Sequence, residues 1–463
     1  MRSLAAILLI ALTGCAVGPN YKRPQIALPD RFRGALAGTA AASLADSKWQ
    51  DLFPDDTLRQ IVTTALDRNF DLRIAAERVE EARAQLGITR ANQFPFVDAQ
   101  AGFAATQSSS IGSFTFIPAG TKLTAAYTSG AIALSWEADL FGRLRRLTEA
   151  ARANYLASQD GRRAVRVALV ADVIDTYFQL LEQDSELEIS RRTRDIAQDN
   201  LRLVKLRRER GAASGLDVRQ AEQLLYTAAA RIAAAERAIA QSEDQLSLLQ
   251  GGAPAAQSRT RHLEEIAIPV QAPPGLPAEI LERRPDIQEA EQALVAANAQ
   301  IGAARALYFP QIALTASAGG QSRYLLQLLT APARVYTVAP SAIEAIFHAG
   351  QVRNQVRFSQ AQQREMLLTY QKTIYTALRE VSDALVGFDR LREERDRQEQ
   401  LVHTLEETVR LSELRYRGGL DSYLQVLDAQ RNLFSGQLAL AQLRLQERMA
   451  VVEIYRALGG GWA

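Results

Sequence analysis

Two short stretches carry residue types that could do hydrolytic chemistry: His262 with Glu264 and Glu265, and His403 with Glu406 and Glu407. An imidazole beside carboxylates can ligate zinc or relay a proton. A catalytic zinc takes three protein ligands, however, and no second His or Cys stands near either stretch. Neither a metal site nor any other cofactor site is expected, and the chain does not read as an enzyme. No glycine-rich loop follows a strand pattern, so there is no cradle for a nucleotide phosphate. The charges, 54 Lys and Arg against 52 Asp and Glu for a net +2, are interleaved rather than gathered on one face. Nucleic acid therefore finds no basic footprint.

The one cysteine, Cys15, excludes an intramolecular disulfide and has another use. Arg2 and the apolar run 4–12 precede it; that run has the length of a signal-peptide core and is too short to span a bilayer. Residues 12–15, LTGC, resemble a bacterial lipobox, in which cleavage leaves the cysteine first and its thiol takes a diacylglycerol. Residues 1–14 are expected to be removed, and Cys15 to carry covalent lipid. Ala16, where an Asp would mark inner-membrane retention, resembles the outer-membrane sorting signal. The most apolar later run, 164–181, contains Arg166, Asp172 and Asp175, so it reads as a buried helix face rather than a membrane span.

The elements that position such an anchor follow from proline placement and periodicity. No proline occurs between Pro118 and Pro254 or after Pro340, and these stretches are rich in Ala, Leu, Gln, Glu and Arg. They read as very long helices, 142–210 and 351–417, each roughly 100 Å long. Before each comes a helical pattern that runs into a strand at a proline. In QLGITRANQFPFVDAQAGFAAT (85–106), Leu86, Arg90 and Phe94 step by four, then Val97, Ala99, Ala101 and Phe103 alternate with Asp98, Gln100 and Gly102. QIGAARALYFPQIALTASAG (300–319) repeats the device, matching Gly87 with Gly302, Arg90 with Arg305, Phe94 with Phe309 and Pro95 with Pro310. The chain thus reads as two copies of one plan, 68–250 and 284–463, behind a lipidated segment with a short helix (15–67) and joined by a proline-rich equatorial linker (251–283).

Return strands are expected over 123–139 and 335–347, the second alternating poorly around Pro340. The shorter helices after each long one carry heptad seams. One runs Val218, Ala221, Leu225, Ala228, Ile232, Ala235, Ile239, Ser242, Leu246, Leu249; the other runs Val426, Ala429, Leu433, Gly436, Leu440, Leu443 until Glu447 interrupts it. Strands of about ten residues with one apolar face have the period of an outer-membrane barrel. Four per chain are too few to close one, so the chain is expected to oligomerise, with Pro95 and Pro310 where lipid ends and water begins.

The lipobox, VGPNYKRP (17–24), EADLFGRLRR (137–146), RRPDIQEAEQALVAANAQIGAARALYFP (283–310), YRGGLDSYLQVLDAQRNL (416–433) and ALGGGW (457–462) resemble the TolC-like outer-membrane factors of tripartite (RND-type) efflux systems, most closely their lipoprotein branch. The family often has LFDGG before its second long helix, where this chain has IFHAG (346–350). The resemblance covers the whole chain. It implies a mostly α homotrimer with a membrane β-barrel of twelve strands continuous with a twelve-helix periplasmic α-barrel. It also implies a periplasmic adaptor and a proton-driven inner-membrane pump as partners, and a cell-outer-membrane location extending into the periplasm.

By the same resemblance the adaptor docks on the hairpin tips, at Arg210, Gly211 and Ser214 and at Arg417, Gly418 and Gly419. Leu424 and Asp428, one helical turn apart, become an apolar and an acidic ring around a threefold axis and close the periplasmic end. A lipid-anchored periplasmic coiled-coil adaptor or structural envelope protein would share the hairpins and heptads, but would lack the paired amphipathic strands at the prolines.

Overall fold

The computed structural model of the chain describes residues 16–34, 43–107, 124–269 and 273–460. Its main elements are α1 (Asp56–Arg68), α2 (Phe70–Ala91), β1 (Phe96–Gln107), β2 (Thr124–Ala138), α3 (Arg143–Glu209), α4 (Gly215–Leu249), α5 (Pro285–Ala306), β3 (Gln311–Ser322), β4 (Arg334–Ile343), α6 (Gln351–Arg417) and α7 (Tyr423–Ala457). Four of the five counterpart pairs in the two halves have equal lengths: α2 and α5 22 residues, β1 and β3 12, α3 and α6 67, α4 and α7 35; the return strands differ, β2 having 15 residues and β4 10. Among the described residues no helix is long and apolar enough to cross a membrane.

One compact unit comprises Val79–Ala157, Ala290–Thr369 and the described part of Met1–Pro24. Its sheet runs β1-β2-β3-β4, antiparallel throughout. Directly paired residues share a face, so the register sorts the side chains. The rows Val97, Leu134, Ala316, Val338 and Trp136, Leu314, Pro340 lie on one face; Asp98, Ala133, Ser317, Thr337 lie on the other. The apolar face is open, with Val97 and Val338 64% and 65% exposed. Pro340 sits on β4, at the end of the strand order, where a missing N–H is tolerated.

β4 ends at Ile343, short of the expected 347. Its partner β3 begins only at Gln311, which pairs with Ile343, so residues beyond have no strand to join. The chain instead turns through Ala349 and Gly350, both at positive φ (46° and 81°), into α6. The helical part of this unit packs on small side chains: Ala150 and Ala153 of α3 meet Ala296 and Ala299 of α5.

The second unit comprises the described residues of Gln25–Arg78, Ser158–Glu289 and Tyr370–Ala463. Asp55 caps α1 by accepting from the backbone N–H groups of Thr57 and Leu58, and its other oxygen accepts from the buried Tyr177 hydroxyl at 3.2 Å. Phe53 meets Phe178 edge to face beside it. A second cluster gathers Ala197, Leu201 and Val204 of α3, Val218, Ala221 and Leu224 of α4, and Tyr423, Val426 and Leu427 of α7.

The packing of α4 and α7 corrects the heptad reading at three positions. Leu224 is buried and Leu225 only partly, because α4 packs against both α3 and α7 and so needs a wider apolar stripe than a two-helix seam. Leu433 is half-buried, while its neighbour Phe434 fills the core. Glu447, expected to break the seam, is instead buried 3.6 Å from Arg395.

Candidate functional sites at the hairpin tips and the strand–helix seam

Both long helices end in the same way. The Ala212 N–H donates to the Arg207 carbonyl (2.8 Å) and Gly211 N–H to Arg208 (2.9 Å); Leu420 N–H donates to Arg415 (2.9 Å) and Gly419 N–H to Tyr416 (3.1 Å). This closing pattern needs left-handed backbone, which Gly211 (φ 73°) and Gly419 (φ 74°) supply. No neighbouring atom lies within 4 Å of a Cβ built at either glycine, so handedness rather than crowding requires them. Ser214 then caps α4: its hydroxyl accepts from Asp217 N–H, and the Asp217 carboxylate accepts from Ser214 N–H. Arg210, Ser214, Arg417 and Gly418 are exposed. Arg417 reaches Glu413 at 3.4 Å, while Arg415 pairs with Asp421 and holds that carboxyl below its ordinary range.

Leu424 stands in the first turn of α7, 50% exposed, and Asp428 one turn on, also exposed and accepting from Asn432 at 3.2 Å. Asp428 lines an open groove with Gln223, Thr227, Arg231 and Arg431. The sequence reading missed what holds this turn in place. The Arg207 guanidinium lies 4.4 Å from the Tyr416 ring centroid, and Tyr416 leans on Tyr423, 5.5 Å away. Burial pushes the Tyr423 hydroxyl up to about 12, so it stays neutral. The tyrosines' spacing across the glycine turn was the available signal.

At the seam, Pro95 immediately precedes β1 and Pro310 immediately precedes β3. Trp136 Nε1 donates to the Gln93 carbonyl (3.0 Å), the Gln93 amide donates to the Thr148 hydroxyl, and Phe141 stacks on Phe309 at 4.7 Å. The EADLFGR motif is a local clamp: Arg143 holds Glu137 with two bonds, and Asp139 accepts from Arg145 N–H. VGPNYKRP is a strap over this clamp. Val17 N–H donates to the Phe141 carbonyl, Arg146 donates to Val17 O and Asn20 Oδ1, Asn298 to Pro19 O, and Tyr21 and Arg23 to Glu291. A Cβ on Gly302 would lie 2.7 Å from Val17 O, which is why the α5 pattern carries glycine there.

Cys15 and its lipobox lie outside the described residues. His262 opens a single turn through its backbone, and His403 faces a groove shared with Glu399, Glu406 and Arg444. Among the described residues no group of three His, Cys, Asp or Glu could hold a metal ion.

The chain matches the outer membrane efflux protein family over residues 61–252 and 276–460, and it belongs to that family. It is 37% identical to the probable efflux pump outer membrane protein TtgC of Pseudomonas putida, covering 99% of this chain and 95% of that one. It is 33% identical to the probable outer membrane lipoprotein SilC of Salmonella typhimurium, over 100% and 99%. The open-state MtrE outer membrane channel of Neisseria gonorrhoeae superposes with a TM-score of 0.86 at 30% identity, covering 97% of this chain and 99% of that one. The protein is an outer-membrane efflux protein, and the sequence reading of its family stands.

Proposed function

We propose that three copies of this outer-membrane protein form the exit duct of a tripartite efflux pump. Small molecules would pass through it passively, received from a periplasmic adaptor and a proton-driven inner-membrane pump. The observation that carries the reading is the four-stranded sheet: its order leaves β1 and β4 as outer strands, and its apolar face is exposed. In lipid such edges must be paired, and three copies pair them as a twelve-stranded barrel. The equal lengths of the paired helices and of β1 and β3 support two structural repeats per chain, so that each subunit gives four helical staves to a twelve-helix tunnel.

The remaining roles follow from this reading. Cys15, acylated, anchors the chain beside the barrel, because lipid chains add about 0.8 kcal/mol per buried methylene. The exposed polar residues of the tips, Arg210, Ser214 and Arg417, with the turns at Gly211, Gly418 and Gly419, receive the adaptor. Leu424 and Asp428 form the periplasmic constriction, and Pro95 and Pro310 mark the membrane boundary.

Native mass measurement in detergent is expected to give three chains starting at acylated Cys15, and planar bilayers containing the protein are expected to conduct ions. A monodisperse monomer with full strand content, or a trimer that never conducts, refutes the duct.

A further inference from the structure

We propose that the β3–β4 connection, residues 323–334, is a hook on the lipid side of the barrel that binds the phosphorylated glycolipid of the outer leaflet. The proposal rests on the sheet being a sector of a membrane barrel. A Cβ built on Gly320 would lie 2.0 Å from the Leu328 carbonyl oxygen, and one on Gly130 would lie 3.3 Å from the Leu328 side chain. Gly130 and Gly320 are direct partners, so both point to the same face, the apolar one that also carries Leu134 and Leu314. The connection therefore folds back over the face a barrel turns to lipid and leaves the polar, lumenal face clear. It crosses β2 and β3, the middle pair, away from the β1 and β4 edges where a neighbouring copy would join.

Height and charge narrow the occupant. Gly320 lies nine residues along β3 from Gln311. At about 3.3 Å per residue and a tilt of about 40°, that is about 23 Å above the seam, the outer rim of an apolar band about 25 Å tall. At that level Leu325, Leu326 and Leu329 remain 68%, 97% and 92% exposed. Arg323 and Arg334 flank them, both exposed and with no ion pair among the described residues. Arg334 stands opposite Gly320, and so leaves the same face. Residues 311–343 contain no Asp or Glu, and Tyr324 and Tyr336 add the aromatic side chains of a membrane interface. Two guanidinium groups at headgroup level suit paired phosphates, and exposed leucines beside them suit acyl chains. The lipid with both features in the outer leaflet is lipopolysaccharide.

The full-length protein, reconstituted in phosphatidylethanolamine and phosphatidylglycerol vesicles with or without lipid A, is extracted and its retained lipids counted by native mass spectrometry. Wild type is expected to keep lipid A in preference to phosphatidylglycerol. Arg323→Gln with Arg334→Gln is expected to lower lipid A retention roughly thirtyfold, about fivefold per arginine. Leu326→Ser with Leu329→Ser should lower it as well, and both variants should keep wild-type mass and conductance. Equal lipid A retention by wild type and the arginine variant overturns the hook, as does indifference between lipid A and phosphatidylglycerol. Efficient disulfide capture of Leu326→Cys by the same residue of a neighbouring copy also overturns it, since protein would then cover the patch. Failure of the barrel reading shows separately, as absence of conductance in the wild type.

Discussion

Leu424→Ala separates a gate from a core contact, because the structure puts two leucines three positions apart on α7 in opposite surroundings. Leu424 is 50% exposed, whereas Leu427 is 2% exposed within the tip cluster of α3, α4 and α7. Truncating Leu427 empties a packed site and should cost about 2 to 5 kcal/mol per chain. Truncating Leu424 gives up only part of a side chain's burial, so its cost within the chain should be under about 1 kcal/mol. If three copies of Leu424 ring the axis, their removal widens a dewetted constriction, and resting single-channel conductance should rise. Asp428→Asn should leave pore size nearly unchanged and weaken cation preference, since three crowded carboxylates attract cations. Planar-bilayer recording and thermal melting are run on all three variants. Leu427, and not the half-buried seam residue Leu433, serves as the core control. A Leu424→Ala protein with wild-type conductance and a melting temperature lowered as far as that of Leu427→Ala would refute the gate.

Two further outcomes follow from local chemistry. Ala349 holds a left-handed backbone (φ 46°) in open surroundings where glycine is unstrained; Ala349→Gly should stabilise by up to about 1 kcal/mol in denaturant titration, and a lower midpoint would show that the turn is not strained. Burial raises the Asp175 carboxyl from 3.8 to about 7, only partly opposed by Arg456, with Glu453 and Asp172 adding to the rise. The folded state thus holds this proton more tightly than the unfolded one. Asp175 contributes full stability below about pH 4, and that contribution is lost as pH rises to about 7, by at most about 4 kcal/mol. Asp175→Asn should flatten the melting-temperature profile between these values and melt higher at pH 8; parallel profiles would exclude the assignment.

What the sequence determined by itself was set by local rules. Proline-free stretches and the glycines at 211 and 419 define where the long helices run and stop, because helix propensity and backbone handedness act over a few residues. The prolines at 95 and 310 and the period-two alternation after them placed β1 and β3 for the same reason. The tertiary structure decided what depends on partners distant in the chain. β4 ends at Ile343 because β3 offers it nothing further, and Leu224 outranks Leu225 because α4 faces two helices at once. The strap at 17–24 could be quoted as a motif, but its use was invisible until Arg146, Asn298 and Glu291 were brought around it. The side of the sheet that carries the β3–β4 hook depends on the pairing of Gly130 with Gly320. A one-residue slip in that register would reverse the face, so no reading of either strand alone could assign it.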